Sequence, residues 1–201
     1  MDYVTESAIV LCGGRSTRMG RDKAALPFGD ETLASRVARL VGQVVGDVVL
    51  VAREGQVLPA GLEAVRDPAE GLGPLAGIAV GLEAVRGERA FVAACDMPLL
   101  RPTVVRRLLD LSEGYEAVVP LIDGFAMTTC AVYSRTTAAL AAALVAERRL
   151  RPLFLVERVR TRYVGGEHFT DIDPDLESFR DCNTPERYAE ALDRAGIVTQ
   201  G

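Results

Sequence analysis

The sequence contains few of the residues that build metal clusters and redox sites. It has four cysteines, one histidine and no tryptophan among 201 residues. The cysteines, Cys12, Cys95, Cys130 and Cys182, lie far apart and form no CxxC pair, which argues against a zinc ribbon or a thioredoxin-type site. We expect them to be reduced and to fill the core. The single histidine, His168, lies in a polar turn and is assigned no role.

Long apolar runs and a strong charge of one sign are also missing. No apolar stretch reaches the roughly 18 residues that a membrane span requires, and the polar, acidic start does not resemble a signal peptide. The formal net charge of −5 gives no bulk attraction for nucleic acid. We therefore expect a cytoplasmic protein with no membrane or nucleic-acid partner, which captures any anionic substrate at a focused site.

Strand and helix patterns alternate along the chain. Apolar runs predict strands at 8–12, 47–52, 62–66, 90–95, 117–121, 127–133 and 159–164. Helical spacing of apolar residues predicts helices at 32–45, 74–85, 102–111, 136–147 and 185–195. This alternation predicts a three-layer, Rossmann-like α/β fold with a mainly parallel sheet. Because neither a repeat nor a linker is visible, residues 1–201 are predicted to form a single domain.

The strongest chemical signal is the segment LCGGRSTRMGRDK, from Leu11 to Lys23, directly after the first predicted strand. Ligands of parallel sheets bind at the carboxyl ends of strands. Glycines let the backbone approach a phosphate, and Arg15, Arg18 and Lys23 add three cations. The spacing fits neither a Walker A loop nor GxGxxG. The alternative is a solvated loop with surface arginines, but this density of cations favours anion binding.

Two further segments carry weaker signals. Asp96 ends the apolar strand AFVAACD and is followed by Met97-Pro98. A carboxylate at this edge, beside a phosphate loop, is suited to Mg²⁺, although Asp before such a turn can also serve as a cap. The segment from Asp67 to Gly77 has three glycines and two prolines and runs into a predicted helix. It indicates either a shaped ligand loop at a helix N-terminus or an ordinary connector.

Together these segments resemble the molybdenum-cofactor guanylyltransferase family. The opening motif of that family, L-x-G-G-x-S-x-R-M-G-x-D-K, is similar to Leu11–Lys23 at every fixed position. Its D-x-x-x-x-x-G-P-L-A-G resembles Asp67–Gly77, its C-D-x-P resembles Cys95–Pro98, and its N-T-P-E resembles Asn183–Glu186. The first motif is highly specific, and the others gain weight from their order and spacing.

The resemblance implies a nucleotidyltransferase that uses GTP and Mg²⁺. It would transfer GMP to the terminal phosphate of molybdenum-molybdopterin and release pyrophosphate. By motif match, the nucleotide would be bound by Leu11, Cys12, Gly13, Gly14, Arg18, Lys23, Asp67 and Asp96. Lys23 and Asp96 would be catalytic, Asp96 would hold the metal, and Asn183 would contact the acceptor. Whether a partner protein delivers the cofactor is left open by the sequence.

Several positions depart from the family pattern. The family often has Ala where Cys12 stands, and Asn at the end of the second strand, where this chain has Val51-Ala52-Arg53. Thr128-Thr129 and Asp181 replace residues, commonly Pro and Asn, in the region where the pterin would dock. The acceptor is therefore less firmly predicted than the nucleotide.

Other activities compete with this interpretation. Cytidylyltransferases acting on molybdopterin tend to have Ala-Gly where Gly13-Gly14 stands. Enzymes acting on sugar phosphates usually open with G-x-G-T-R and have a longer gap before the lysine. A nucleotide-binding module without catalysis is disfavoured because Lys23 and Asp96 are both present.

Overall fold

A computed structural model describes residues 6–13, 22–59, 61–66 and 72–197. The strands are β1 (Glu6–Leu11), β2 (Pro27–Phe28), β3 (Glu31–Thr32), β4 (Val48–Ala52), β5 (Glu63–Arg66), β6 (Arg89–Ala94), β7 (Ala117–Ile122), β8 (Phe125–Ala126), β9 (Cys130–Ser134) and β10 (Thr161–Gly165). The helices are α1 (Leu33–Gly42), α2 (Gly73–Ala84), α3 (Pro102–Asp110), α4 (Ala138–Ala146), α5 (Leu153–Val156) and α6 (Pro185–Arg194). Short 3-10 helices cover Lys23–Ala25, Arg135–Thr137, Gly166–His168 and Glu177–Phe179.

Eight of the strands form one mixed sheet in the order β10-β7-β9-β6-β1-β4-β5, with β8 paired to β7. The pairs β1–β4, β1–β6, β4–β5 and β7–β10 are parallel, whereas β9 runs antiparallel to β6 and β7. The predicted mainly parallel sheet is thus confirmed. The central strands β1, β4 and β6 are almost continuously apolar, because helices cover both of their faces.

The helices form a layer on each side of the sheet. Buried side chains of α1 and α3 pack with one face of the sheet, and those of α2, α4 and α5 pack with the other. A smaller apolar cluster joins α6 to the β2–β3 hairpin. The three-layer architecture follows from strands that alternate with amphipathic or wholly apolar helices.

The strand order reverses around β1. From β1 the chain proceeds outward through β4 to β5, and then returns to β6 on the other side of β1. The carboxyl ends of β1 and β6 therefore meet where the sheet topology changes direction. In open α/β sheets this is the place where ligands bind.

One predicted strand was wrong in its first half. The segment 127–133 was expected to be continuous, but Met127–Thr129 lie outside the strands and β9 begins only at Cys130. The cause is a tight hairpin at Asp123-Gly124, where both residues have positive φ, 50° and 81°, and where β8 folds back on β7. Asp-Gly is a strong hairpin signal that the apolar pattern obscured.

Other helices and strands differ from their predicted boundaries by a few residues. The helix expected at 136–147 begins at Ala138, because the preceding residues form a 3-10 turn in which the Ser134 hydroxyl accepts the Thr136 amide. The last helix is capped by Thr184, whose hydroxyl accepts the Arg187 amide at 3.3 Å. The one-turn helix α5 was not predicted, because four residues are too few to show a period.

All four cysteines are buried and free, as expected from their spacing. Within the described part of the chain, no helix has the length and apolar character needed to cross a membrane.

Candidate active site

The ends of β1 and β6 are joined by backbone hydrogen bonds. The Cys95 amide donates to the Leu11 carbonyl at 3.0 Å, and the Cys12 amide donates to the Val51 carbonyl at 2.8 Å. These bonds hold the first residues after β1 and β6 in register with the neighbouring strands. The segment that follows Cys12 and the carboxylate of Asp96 consequently leave the sheet side by side.

Cys12 turns its side chain away from this edge. Its thiol is buried in the core cluster on one sheet face, to which Cys95 also belongs, and lies 3.7 Å from the Val10 carbonyl. The neighbouring Cys12 thiol, together with burial, raises the pKa of Cys95 well above its ordinary range. Cys12 is therefore a core residue whose backbone, like that of the exposed Gly13, is what it can offer to a ligand.

Three residues that are distant in sequence meet at the edge. The Lys23 ammonium donates to Asp96 Oδ2 at 3.1 Å and also donates to Asn183 Oδ1. Asn183 is held there by its neighbour Cys182, whose amide donates to the Asp96 carbonyl at 2.9 Å. The fold thus brings together a cation, a carboxylate and a carboxamide that the sequence analysis selected from three separate motifs.

This cluster is only partly shielded from water. The side chains of Lys23 and Asp96 are 19% and 14% exposed. Burial raises the pKa of the Asp96 carboxyl above its ordinary value, and the Lys23 ammonium opposes that rise. The carboxylate thus carries a desolvation cost that one lysine offsets incompletely, which makes it receptive to a further cation.

A second polar cluster borders the segment after Cys12, and the sequence analysis gave it no role. The Gln56 side-chain amide donates to the Cys12 carbonyl at 3.0 Å and to Asp22 Oδ1 at 2.9 Å. Its Oε1 accepts the Arg53 amide at 3.0 Å, and Arg53 Nη2 lies 3.7 Å from Asp22 Oδ2. No local pattern marks Gln56, because its partners come from three segments of the chain.

Helix α2 approaches the end of β1 very closely. A Cβ added at Gly77 would lie 3.1 Å from Leu11 Cδ2 and 3.5 Å from Val51 Cγ1. At the start of the helix, Gly73 has a φ of +71° and a Cβ there would lie 3.2 Å from the Leu150 carbonyl. These glycines set the N-terminus of α2, with its unpaired amides, over the carboxyl edge of the sheet.

Some predicted site residues lie outside the described part of the chain. They are Gly14, Arg15 and Arg18 of the first motif, and Asp67 of the loop before α2. The structure does describe the residues that flank these segments, which are Gly13, Asp22, Arg66 and Leu72.

The residues that depart from the family pattern also lie near this edge. The Ala94 amide, at the end of β6, donates to the Thr129 carbonyl at 3.0 Å, and the Tyr133 hydroxyl donates to the Thr128 carbonyl at 2.7 Å. Asp181 pairs with Arg187 at 2.7 Å. A 740 Å³ cavity opens beside them, lined in part by Phe125, Met127, Asp181 and Arg187.

The oxygen ligands at this site suit a metal ion that enters together with a phosphate-bearing substrate. Among the described residues, no group of three or more His, Cys, Asp or Glu side chains could enclose an ion. Asp96 offers a carboxylate at the end of β6, with Asp181 near enough to raise its pKa through charge. Mg²⁺ commonly takes one or two carboxylates, and phosphates of the substrate complete its shell. The arrangement of the described residues is therefore compatible with such an ion.

Known proteins are similar to this chain in sequence and in architecture. Residues 8–161 match the model of a family described as the MobA-like NTP transferase domain. The chain is 32% identical over 186 residues to a probable molybdenum cofactor guanylyltransferase of Pelotomaculum thermopropionicum, covering 92% of this chain and 91% of the relative. It is also 32% identical over 204 residues to the molybdenum cofactor guanylyltransferase of Desulfosudis oleivorans, covering 99% and 100% of the two chains.

A solved structure extends the comparison to the fold. The molybdopterin-guanine dinucleotide biosynthesis protein A of Archaeoglobus fulgidus superposes with a TM-score of 0.81 at 24% identity. The superposition covers 94% of this chain and 98% of that one. The α/β nucleotidyltransferase architecture predicted from the sequence is thus confirmed.

Proposed function

The chain belongs to the MobA-like NTP transferase family, and we propose that within it the chain transfers GMP from GTP to the terminal phosphate of molybdenum-molybdopterin. The products are molybdopterin guanine dinucleotide and pyrophosphate. The names of the two relatives described above, at 32% identity over nearly their whole lengths, support this choice of donor and acceptor.

The observation that carries the proposal is the meeting of Lys23, Asp96 and Asn183 at the carboxyl edge of β1 and β6. Phosphoryl chemistry of this kind depends mainly on positioning and on neutralising charge. A lysine and a cation-receptive carboxylate beside a glycine-rich segment supply both requirements.

On the donor side, we assign the base to the segment at the end of β1. Leu11, Cys12 and Gly13 would contact guanine, largely through backbone atoms, because the Cys12 side chain faces the core. Gly14 and Arg18 would contact the phosphates, and Asp67 would bind the nucleotide from the loop before α2. Lys23 pairs with Asp96 at 3.1 Å, and the triphosphate would draw the Lys23 ammonium towards itself.

Asp96 is the residue that would hold Mg²⁺, jointly with oxygens of the nucleotide phosphates. When bound, the ion supplies charge neutralisation at the phosphates. Lys23 would contribute a second cation at the phosphates, and Asn183 would hold Lys23 or the acceptor through its carboxamide. The site needs no strong base, because a phosphate monoester is already ionised near pH 7.

The proposed reaction forms one P–O bond and breaks one. An oxygen of the acceptor phosphate attacks the α-phosphorus of GTP in line, forming a new P–O–P linkage. The bond from the α-phosphorus to the β-phosphate oxygen breaks, and pyrophosphate leaves with that electron pair. The residues of the chain bind, orient and neutralise, while the nucleophile and the leaving group both come from the substrates.

For the acceptor we favour the side of the site that carries Asp181 and Thr129. The cavity there combines apolar side chains such as Phe125 and Met127 with the paired charges of Asp181 and Arg187. Its volume of 740 Å³ is in the range of small-molecule sites. A pterin offers a flat ring with hydrogen-bonding edges, which suits a mixed apolar and polar lining.

Thermal shift with the four nucleoside triphosphates in the presence of Mg²⁺ tests the choice of donor. A ligand that binds only the folded state raises the melting temperature according to its affinity. We expect GTP to give the largest rise. An equal or larger rise with CTP would instead support cytidylyl transfer, the second activity considered from the sequence.

A further inference from the structure

Gln56 lies in the turn after β4, outside every motif that pointed to the active site. Although its side chain is polar, Gln56 is buried, with only 7% of its surface exposed. All of its polar side-chain atoms have partners: the two hydrogens of the amide are directed to the Cys12 carbonyl and to Asp22 Oδ1, and the oxygen accepts the Arg53 amide.

The two acceptors of this amide occupy special places in the chain. Cys12 is the last residue before Gly13, and Asp22 is the residue immediately before Lys23. The side chain of Gln56 therefore joins the residue before the cationic segment 13–21 to the residue after it. Asp22 in turn accepts the Ala24 amide at 3.1 Å, so that its position also fixes the short helix that begins at Lys23.

The same turn reaches towards the second nucleotide segment. Arg66, the last residue of β5, donates to the Arg53 carbonyl at 2.8 Å and to the Gln56 carbonyl at 3.0 Å. Asp67 follows Arg66 directly. The turn at 53–56 thus contacts the residues from which both proposed nucleotide-binding segments depart.

We propose that Gln56 is a positioning residue of the nucleotide site, which clamps Cys12 to Asp22 and thereby places Lys23 for the triphosphate. Gln56 touches neither reacting atoms nor base, and acts through Cys12 and Asp22. The inference rests on the proposed nucleotidyl transfer and adds to it a determinant of GTP affinity.

The chemistry of the contacts explains why a carboxamide is needed here. Both acceptors, a carbonyl oxygen and a carboxylate oxygen, require a donor, and the Arg53 amide requires an acceptor. Methionine is similar in length and supplies neither strong donor nor strong acceptor. Glutamate supplies the acceptor but directs a second negative charge at Asp22, with Arg53 the nearby cation that partly compensates.

The first test compares Gln56→Met with Gln43→Met, a matched change of an exposed glutamine after α1. We expect the Kd of GTP to rise by about tenfold in the first variant, as for the loss of a buried hydrogen-bonded clamp, and to stay unchanged in the second. Amide hydrogen exchange without nucleotide should also increase across residues 12–26 in Gln56→Met alone.

The second test uses Gln56→Glu and pH. The neighbouring Asp22 carboxylate disfavours a charged glutamate, so its pKa is expected to lie above the usual range. As pH falls from 8 towards 5 the side chain increasingly gains a proton and with it one donor, and the ratio of its GTP Kd to that of the wild type should fall. In Gln56→Met the corresponding ratio should stay constant, because methionine does not titrate.

These experiments separate failure of the inference from failure of the proposed function. If wild type binds no GTP, the proposed function fails. The amide exchange measurement still tests whether Gln56 clamps Cys12 to Asp22. Equal exchange over 12–26 in Gln56→Met and Gln43→Met would overturn the clamp. So would a Gln56→Met protein that binds GTP as tightly as wild type, or a double-variant cycle with Lys23→Ala whose effects on kcat/KM are simply additive.

Discussion

Two aspartates at opposite ends of the central strands show how a buried carboxylate can serve either stability or chemistry. Asp47 precedes β4, at the amino ends, and Asp96 follows β6, at the carboxyl ends. Asp47, 2% exposed, accepts hydrogen bonds from the Ser7 hydroxyl at 2.5 Å, and from the Arg86 amide and guanidinium at 2.9 and 2.7 Å. Asp96 is paired with Lys23 at 3.1 Å. The first carboxylate is saturated with donors, whereas the second keeps capacity for a ligand.

The saturated carboxylate predicts a pH-dependent stability. Burial alone would raise the pKa of Asp47, but hydrogen bonds from Ser7 and Arg86 outweigh it and lower the pKa below its ordinary value. A lowered pKa contributes stability that is complete above the unfolded pKa of about 3.9 and is lost as pH falls through the folded pKa. We expect Asp47→Asn to reduce unfolding free energy at pH 7 by about 2 kcal/mol.

Urea unfolding between pH 3 and pH 7 checks this expectation. The stability difference between wild type and Asp47→Asn should narrow towards the acid end of the range. A difference that stays constant with pH would show that the charge of Asp47 does not contribute. Turnover at pH 7 should be unaffected, because Asp47 lies at the edge of the sheet opposite to the site.

The unsaturated carboxylate predicts a loss of turnover. We expect Asp96→Ala to abolish Mg²⁺-dependent transfer more than it weakens GTP binding, because contacts from Leu11 to Gly13 would remain. The measurement is the rate as a function of Mg²⁺ concentration in wild type and variant. If the variant kept the Mg²⁺ midpoint of wild type and a near-normal maximal rate, Asp96 would have no place at the metal.

Replacement of Lys23 by alanine should remove most of the activity while the fold persists. The side chain is 19% exposed and its contacts are polar, so little apolar packing is lost. Circular dichroism and the melting temperature report the fold, and pyrophosphate release reports the activity. A well-folded variant with normal turnover would refute the assignment of Lys23.

The site residues that can be predicted from the sequence are mainly those that lie in a local motif. Lys23 and Asp96 stand out because a cation-rich glycine segment and an apolar strand end are visible along the chain. Asn183 was selected from the resemblance alone, and the structure places it against Lys23. Gln56 could not be selected, because its three partners are the residue after β1, the residue before Lys23 and the residue after β4.

At the scale of elements, the contact between α2 and β1 determines how close the helix comes to the site. Gly81 faces Ile9 so closely that an added Cβ would lie 2.7 Å from Ile9 Cγ2. Ile9 is fully buried and β-branched, so it cannot move aside easily. Overpacking of about 1–3 kcal/mol should exceed the gain of about 1 kcal/mol from replacing a helical glycine.

We therefore expect Gly81→Ala to lower the melting temperature. The matched control is Gly42→Ala at the end of α1, where the nearest atom to an added Cβ is Val48 Cγ2 at 3.8 Å. The control should be neutral or slightly stabilising. Thermal unfolding of both variants decides the matter, and a Gly81→Ala protein as stable as its control would contradict the close packing of α2 on β1.

Elements with a long apolar pattern were predicted well, and short ones were not. The central strands and the five longer helices follow from buried runs and helical spacing. The short strands β2, β3 and β8 and the single turn of α5 have two to four residues each. Such lengths carry no period, and tertiary contacts rather than propensity determine them.

At the scale of the whole molecule, the parallel sheet assembles a site from residues that span 160 positions, Lys23 to Asn183. The membership in a nucleotidyltransferase family confirms the resemblance that four dispersed motifs predicted. The single-domain organisation over 1–201 stays a prediction. The net charge of −5 is compatible with binding a triphosphate, because Arg15, Arg18 and Lys23 place three cations within nine residues of the first motif.

The most direct test of the account is the nucleotide dependence of pyrophosphate release in the presence of Mg²⁺ and molybdenum-molybdopterin. The account predicts rapid release with GTP, formation of molybdopterin guanine dinucleotide in equal amount, and much slower release with CTP, ATP or UTP. It also predicts that release requires the acceptor. Equal or faster turnover with CTP, or no acceptor-dependent release with GTP from a protein that binds GTP, would contradict it.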